Sequence, residues 1–222
     1  MPETGDPMRR LILAYCTLLS LGGCQSAYYS MMEKAGVHKR DILADRVEAA
    51  RDSQQAAKER FKDALERYRS VVQVQGGDLE ERHAALDREY RAGEASAKAV
   101  RQRIDAVEDV AAALFVEWEG ELDQYHNATL RRASAKELER TRKQYKTLLT
   151  RMQAAEKRIE PVLSVLRDQA LFLKHNLNAR AIGALQGEYR SLESNVDQLL
   201  RDMQRSIDEA DSFVRRLQAP LG

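Results

Sequence analysis

The chain has 222 residues, of which 32% are charged and only 6% aromatic, and its 36 basic and 35 acidic residues leave a net charge of +1. That near-neutral balance argues against bulk attraction to nucleic acid. Charge above the roughly 25% of ordinary globular chains points instead to long solvated faces.

Residues 1–23 read as a signal peptide. Met8-Arg9-Arg10 is a positive n-region, and the seven residues before it serve no targeting purpose, so translation is read as starting at Met8. The eleven mostly apolar residues "LILAYCTLLSL" follow. As a helix they span about 17 Å, well short of the roughly 30 Å hydrocarbon core of a bilayer. The run closes on Leu21-Gly22-Gly23-Cys24, an aliphatic residue, two small ones and a cysteine, which has the layout of a lipobox. Small side chains admit the peptidase, and the Cys24 thiol is the nucleophile that accepts the diacylglyceryl group. Cys16 is a poor alternative because Tyr15 stands where a small residue is needed. The competing reading is an ordinary signal peptide with a cysteine by chance. Cleavage before Cys24 removes Cys16, so the mature chain has no disulfide. Gln25 and Ser26 after the cysteine, in place of Asp, favour the outer membrane facing the periplasm over retention at the inner one.

Residues 24–38 read as the lipidated N-terminus and a short membrane-proximal tether. Tyr28, Tyr29, Met31 and Met32 suit the lipid interface, and Lys34, Lys39 and Arg40 suit anionic headgroups; packing on the end of the folded body explains them equally well. Fully extended, residues 25–38 reach at most about 46–50 Å.

Residues 39–222 are expected to form an all-α, elongated antiparallel bundle of about four long coiled-coil-like helices. The first seam runs Leu43, Val47, Ala50, Gln54, Ala57, Phe61, Ala64, Tyr68, Val71, at alternating spacings of four and three, with Asp41 as N-cap. Gly76-Gly77 ends it, and Asp78-Leu79-Glu80-Glu81 reads as a capping box for a second helix with a seam from Leu79 to Tyr125. Ser134-Ala135-Lys136-Glu137 reads as the capping box of a third. Pro161 lies inside that helix, but the seam keeps phase across it, so the expectation is a kink. "KHNLN" marks the last turn, and the fourth seam runs from Ile182 to Leu217. Gly93, Gly120, Gly183 and Gly187 are read as points of close helix approach.

Between Ile104 and Tyr125 stand seven acids and no Lys or Arg; between Thr129 and Arg151 stand eight basic residues against Glu137 and Glu139. In an antiparallel hairpin these runs lie side by side, so cross-hairpin pairing is the expected arrangement. A basic face for an external partner is the alternative.

Motifs for chemistry are sparse. Glu80-x-x-His83 is the only Glu-x-x-His in the chain, and His126 lies 43 positions along the same expected helix, about 64 Å away, so the two cannot share a metal. No phosphate-binding glycine loop and no nucleophile elbow occurs. No catalytic residue, cofactor or metal is expected. The candidate contact for a partner or small ligand is Phe172, Lys174, His175, Asn176 and Asn178, beside the apolar run "ALFL". An apolar turn with capped helix ends accounts for the same residues.

The stretches "MEKAGVHKRDILADRVEAARDSQ", "IDAVEDVAAALFVEWEGELDQY" and "DQALFLKHNLNARAIGALQGE" resemble a family of uncharacterised lipoproteins of Gram-negative bacteria. The resemblance implies an envelope protein and brings no reaction or catalytic residue. The expected function is a lipid-anchored structural or interaction module, adaptor or scaffold, that meets an envelope protein or a second copy of itself. The alternative is a periplasmic module binding a lipid or small ligand.

Overall fold

A computed structural model describes residues 32, 36–73, 78–176 and 179–219; the side chains of 179–182 lie outside this description. Leu21, Gly22, Gly23, Cys24 and Asn178 also lie outside it. The described residues form five helices: α1 (Lys39–Gln73), α2 (Leu79–Leu122), α3 (Ala128–Lys157), α4 (Ile159–His175) and α5 (Ala179–Gln218). α3 and α4 form one rod, so the architecture is the all-α four-membered bundle expected. α1 packs on α2 and α5, and the α3–α4 rod packs on the same two helices.

Polar contacts fix the directions. Arg51 and Lys58 of α1 meet Asp211 and Gln204 of α5, and the Tyr68 hydroxyl donates to the Leu185 carbonyl at 2.9 Å. Positions rise on one helix as they fall on the other, so the pair is antiparallel. Lys39–Glu117 and Arg60–Glu89 give the same sense for α1 and α2, and Gln153–Glu108 and Arg101–Glu156 give it for α3 and α2.

All nine residues of the first expected seam are buried. The fourth is buried from Leu185 to Leu217 apart from Tyr189, which is half-buried; Ile182 lies among the undescribed side chains. Across Pro161 the seam continues through Met152, Ala155, Ile159, Val162 and Leu166, each at most 1% exposed. Only Arg158 interrupts the helix; it stays right-handed (φ −73°, ψ −14°), and its N–H donates to Ala155 O at 3.2 Å. The cause is Pro161 three residues on, which has no N–H to offer Lys157 O.

Three expected helix starts change or sharpen. α1 starts two residues before Asp41, and the Asp41 and Ile42 N–H groups donate to His38 O, so Asp41 sits in the first turn and is not the cap. Asp78 caps α2 by accepting from the Glu80 N–H at 2.8 Å. The capping box at Ser134 is overturned: α3 begins at Ala128, because Asn127 Oδ1 accepts from both the Thr129 and Leu130 N–H groups. Ser134 is left inside the helix, where its Oγ accepts from Trp118 Nε1 at 2.8 Å. Before α1, Gly36 has φ +81° and the Val37 N–H donates to Met32 O at 3.0 Å. Met32 and Val37 pack against the core, so the N-terminal segment enters the bundle at the α1 start.

The reading of the four glycines holds only for Gly93. A Cβ there would stand 2.8 Å from Leu163 Cδ2 and 3.2 Å from Phe61 Cε1, whereas Cβ atoms at Gly120, Gly183 and Gly187 would meet nothing within 4 Å. Gly187→Ala should therefore stabilise the bundle by up to about 1 kcal/mol through helix propensity alone. Gly93→Val should destabilise it by about 1–3 kcal/mol through overpacking. Urea unfolding of the two variants beside the parent checks both signs.

Candidate functional site

The two ends of the bundle carry its unusual surfaces. At the end of the α1–α2 and α4–α5 turns, the expected contact stretch is partly exposed. Leu171 and Phe172 are 51% and 41% exposed, Lys174 and His175 are exposed, and Leu173 is fully buried. Asn176 is tied locally, its Nδ2 donating to Phe172 O at 2.9 Å and its N–H to Leu173 O. Leu171 and Lys174 line a cleft of about 310 Å³ with His83, Asp87 and Arg167. Phe172, His175 and Asn176 do not line it, so the structure divides the expected cluster between a cleft and a separate face.

The opposite end holds a surface that the sequence reading missed. Trp118, Tyr125, Leu130 and Ala133 line a cleft of about 720 Å³ rimmed by Arg40, Lys136, Arg140 and Glu137. Tyr125 is 40% and Leu130 56% exposed. The register explains the gap. Lys39–Glu117 sets the start of α1 against Glu117, so the last turn of α2 runs past it. Arg158–Asp202 sets the end of α5 near Arg142, so the start of α3 runs past it too. The α2–α3 tip projects, and its inner apolar side chains lose their cover. Trp118 and Tyr125 stand on the α2 seam and so look like core from the sequence alone.

The charge runs pair only in part. Glu119 accepts from Arg142, and Asp123 from Arg131 at 2.6 Å. Arg142 also donates to Phe115 O and lies 5.2 Å above the Phe115 ring, which meets Tyr145 edge-on. Arg140 turns to Glu137 on its own helix, and Glu117 takes Lys39 of α1. Arg132, Lys136, Lys143, Lys146 and Arg151 are exposed and form no ion pair among the described residues. Their spacing puts most of them on the side of α3 turned away from α2.

Among the described residues no three His, Cys, Asp or Glu side chains come together in a way that could hold a metal ion. His83 is half-buried beside Asp87, and His126 lies in the loop beyond the other end of α2. The perturbed groups are tyrosines and ion-paired residues. Burial, helped by Glu108 and Asp109, pushes the Tyr145 phenol up to about 12, and burial raises Tyr68 further.

A family model described as protein of unknown function (DUF2959) matches residues 28–217. The chain belongs to DUF2959. The match covers all five helices of this DUF2959 chain save the last residue of α5, and begins four residues beyond Cys24. No curated protein and no solved structure matches it.

The hydrogen bond from Arg142 lowers the Glu119 carboxyl below its ordinary 4.5. A depressed carboxylate stabilises the fold above its unfolded value, and that contribution disappears as pH falls through its folded value. Arg142→Ala should return the Glu119 midpoint toward 4.5, as followed by carboxyl NMR titration, and should remove its share of the stability lost on acidification.

Proposed function

We propose that this DUF2959 protein is a lipid-anchored helical rod of the bacterial cell envelope, held through Cys24 at the outer membrane and facing the periplasm. It works as a structural or interaction module without catalytic activity, meeting an envelope protein or a second copy of itself. The observation that carries the reading is the order of the parts: Leu21-Gly22-Gly23-Cys24 precedes, by a tether ending at His38, a bundle that begins at Lys39. An acylated Cys24 would supply the membrane hold, since stable anchoring takes two or more chains. Among the described residues no helix is long and apolar enough to cross a bilayer.

One observation favours a second reading, a module that binds a lipid or small ligand: the largely apolar cleft of about 720 Å³ around Trp118 and Leu130. The interior of the bundle supports the first. Phe61, Tyr68, Leu86, Leu148, Met152, Leu192 and Leu199 are fully buried, so large side chains fill successive layers.

Growth with an alkynyl fatty acid tests the anchor. The parent and Cys16→Ala should take up the label, and Cys24→Ala should not. An unlabelled parent sinks the lipoprotein reading.

A further inference from the structure

The geometry points to the α2–α3 tip as a second membrane contact, in which Tyr125 and Leu130 enter the headgroup layer of an anionic bilayer while Arg132 and Lys136 meet lipid phosphates. This rests on the anchoring through Cys24 proposed above, which brings that end of the rod to the bilayer.

Three observations choose the occupant. The first is reach. Arg40, in the first turn of α1, itself rims the cleft, and its guanidinium donates to Leu217 O at the end of α5. Met32 and Val37 pack on the core beside the start of α1, so residues 25–31 separate Cys24 from the folded body and span at most about 25 Å. The cleft lies at the end of the folded body where α1 starts.

The second is the kind of apolar surface. An aromatic ring with a polar tip, an indole and an exposed leucine are the side chains that settle at the boundary of hydrocarbon and headgroups. Tyr125 and Leu130 are 40% and 56% exposed, and the Trp118 N–H is already satisfied by Ser134. Trp118 thus presents its apolar body to the cleft without leaving a donor unpaired.

The third is charge. Residues 128–151 carry eight basic residues (Arg131, Arg132, Lys136, Arg140, Arg142, Lys143, Lys146, Arg151) against Glu137 and Glu139. Glu137 pairs with Arg140, Glu119 with Arg142 and Asp123 with Arg131, so these six charges cancel. Glu121 and Glu139 stay exposed, opposed by Arg132, Lys136, Lys143 and Lys146. A cationic rim around an apolar patch fits anionic lipid, and fits poorly a neutral partner or a second copy presenting the same rim.

The chain has one tryptophan, Trp118, and it stands in the cleft, so the parent protein reports on itself. The full-length protein is reconstituted in vesicles of phosphatidylglycerol and phosphatidylethanolamine, with either plain acyl chains or chains brominated near the headgroup. Flotation reads whether the chain is held; Trp118 emission reads whether the tip touches lipid. The expected result is quenching by the brominated lipid and shielding from aqueous acrylamide. Both should be lost in Tyr125→Ser/Leu130→Ser while the variant still floats. Arg132→Glu/Lys136→Glu should lose most of the quenching, and 1 M salt should do the same to the parent, since the screening length falls from about 10 Å to about 3 Å. Circular dichroism confirms that the variants fold; the altered side chains are exposed or at the tip.

A parent that floats with Trp118 unquenched and open to acrylamide overturns the tip contact and leaves the anchor standing. A parent that floats only while Tyr125 and Leu130 are intact supports the tip and overturns the anchor. Trp118 shielded from acrylamide yet unquenched by lipid also overturns the proposal: cross-linking then shows whether a second copy or the chain's own residues 25–35 fill the cleft.

Discussion

Burial of the α1 seam is the interaction on which the rest of the structure depends. α1 packs on both α2 and α5, and Leu43, Val47, Phe61 and Tyr68 have no exposed surface. Each such side chain contributes roughly 1.5–3 kcal/mol by leaving water, against a backbone ordering cost of about 1–2 kcal/mol per residue. Helices as charged as these draw most of their stability from an amphipathic face packed on neighbours, with little from propensity. Tyr68 couples the core to direction. Its ring is buried against Tyr189 and its hydroxyl reaches the Leu185 carbonyl, so α5 is held at one height along α1.

A coiled-coil-like core is prone to slip by whole heptads, because one Leu layer resembles the next. The exceptions to apolar filling oppose that. Gln54 is fully buried, donates to Met152 O at 3.5 Å across the bundle and leaves Oε1 without a hydrogen bond; Ser206, also fully buried, has no partner for Oγ. In place, the Gln54 amide has one partner. A buried amide left without any partner would cost about 1–3 kcal/mol.

The seams were legible in the sequence because burial follows a helical period directly, and because Pro161 sits where a one-residue interruption at Arg158 preserves phase. Helix ends were less so, since they are settled by competition. Ser134 and Glu137 have the right spacing for a capping box, but Asn127 satisfies two N–H groups seven residues earlier, and nothing stops the helix between. The charge runs misled in proportion to geometry. A one-dimensional balance cannot tell which face of α3 a lysine occupies, and only Arg131 and Arg142 reach α2 acids. The α2–α3 cleft was hidden for another reason. Trp118 and Tyr125 continue a core pattern, and what exposes the tip is the length of α1 and α5, a property of other segments. Of the expected contact at the far end, exposure of Phe172 could not be read from a run of four apolar residues, whose inner and outer members the turn decides.

The rod is therefore polar along its axis in a way its symmetric core is not. Both ends expose apolar side chains beside basic ones, and what differs is which end receives the N-terminal segment. Leu130 and Tyr125 lie beside Arg40, Lys136 and Arg140, where the N-terminal segment enters. Leu171 lies beside Lys174, Arg167, Arg91, His83 and Asp87, also with a basic excess, but at the end of the rod away from the start of α1. Leu130 and Phe172 are separated by the combined length of α3 and α4, about 60 Å at the helical rise. A bilayer contact at the first end, with the tether arising beside it, holds the second end out from the membrane by a large part of that distance. On the proposed anchoring, Phe172 would face away from the bilayer. Division of the two surfaces between opposite ends of a stiff body is what separates a spacer from a module lying flat on lipid. It follows from helix lengths and register, with no demand on catalytic chemistry.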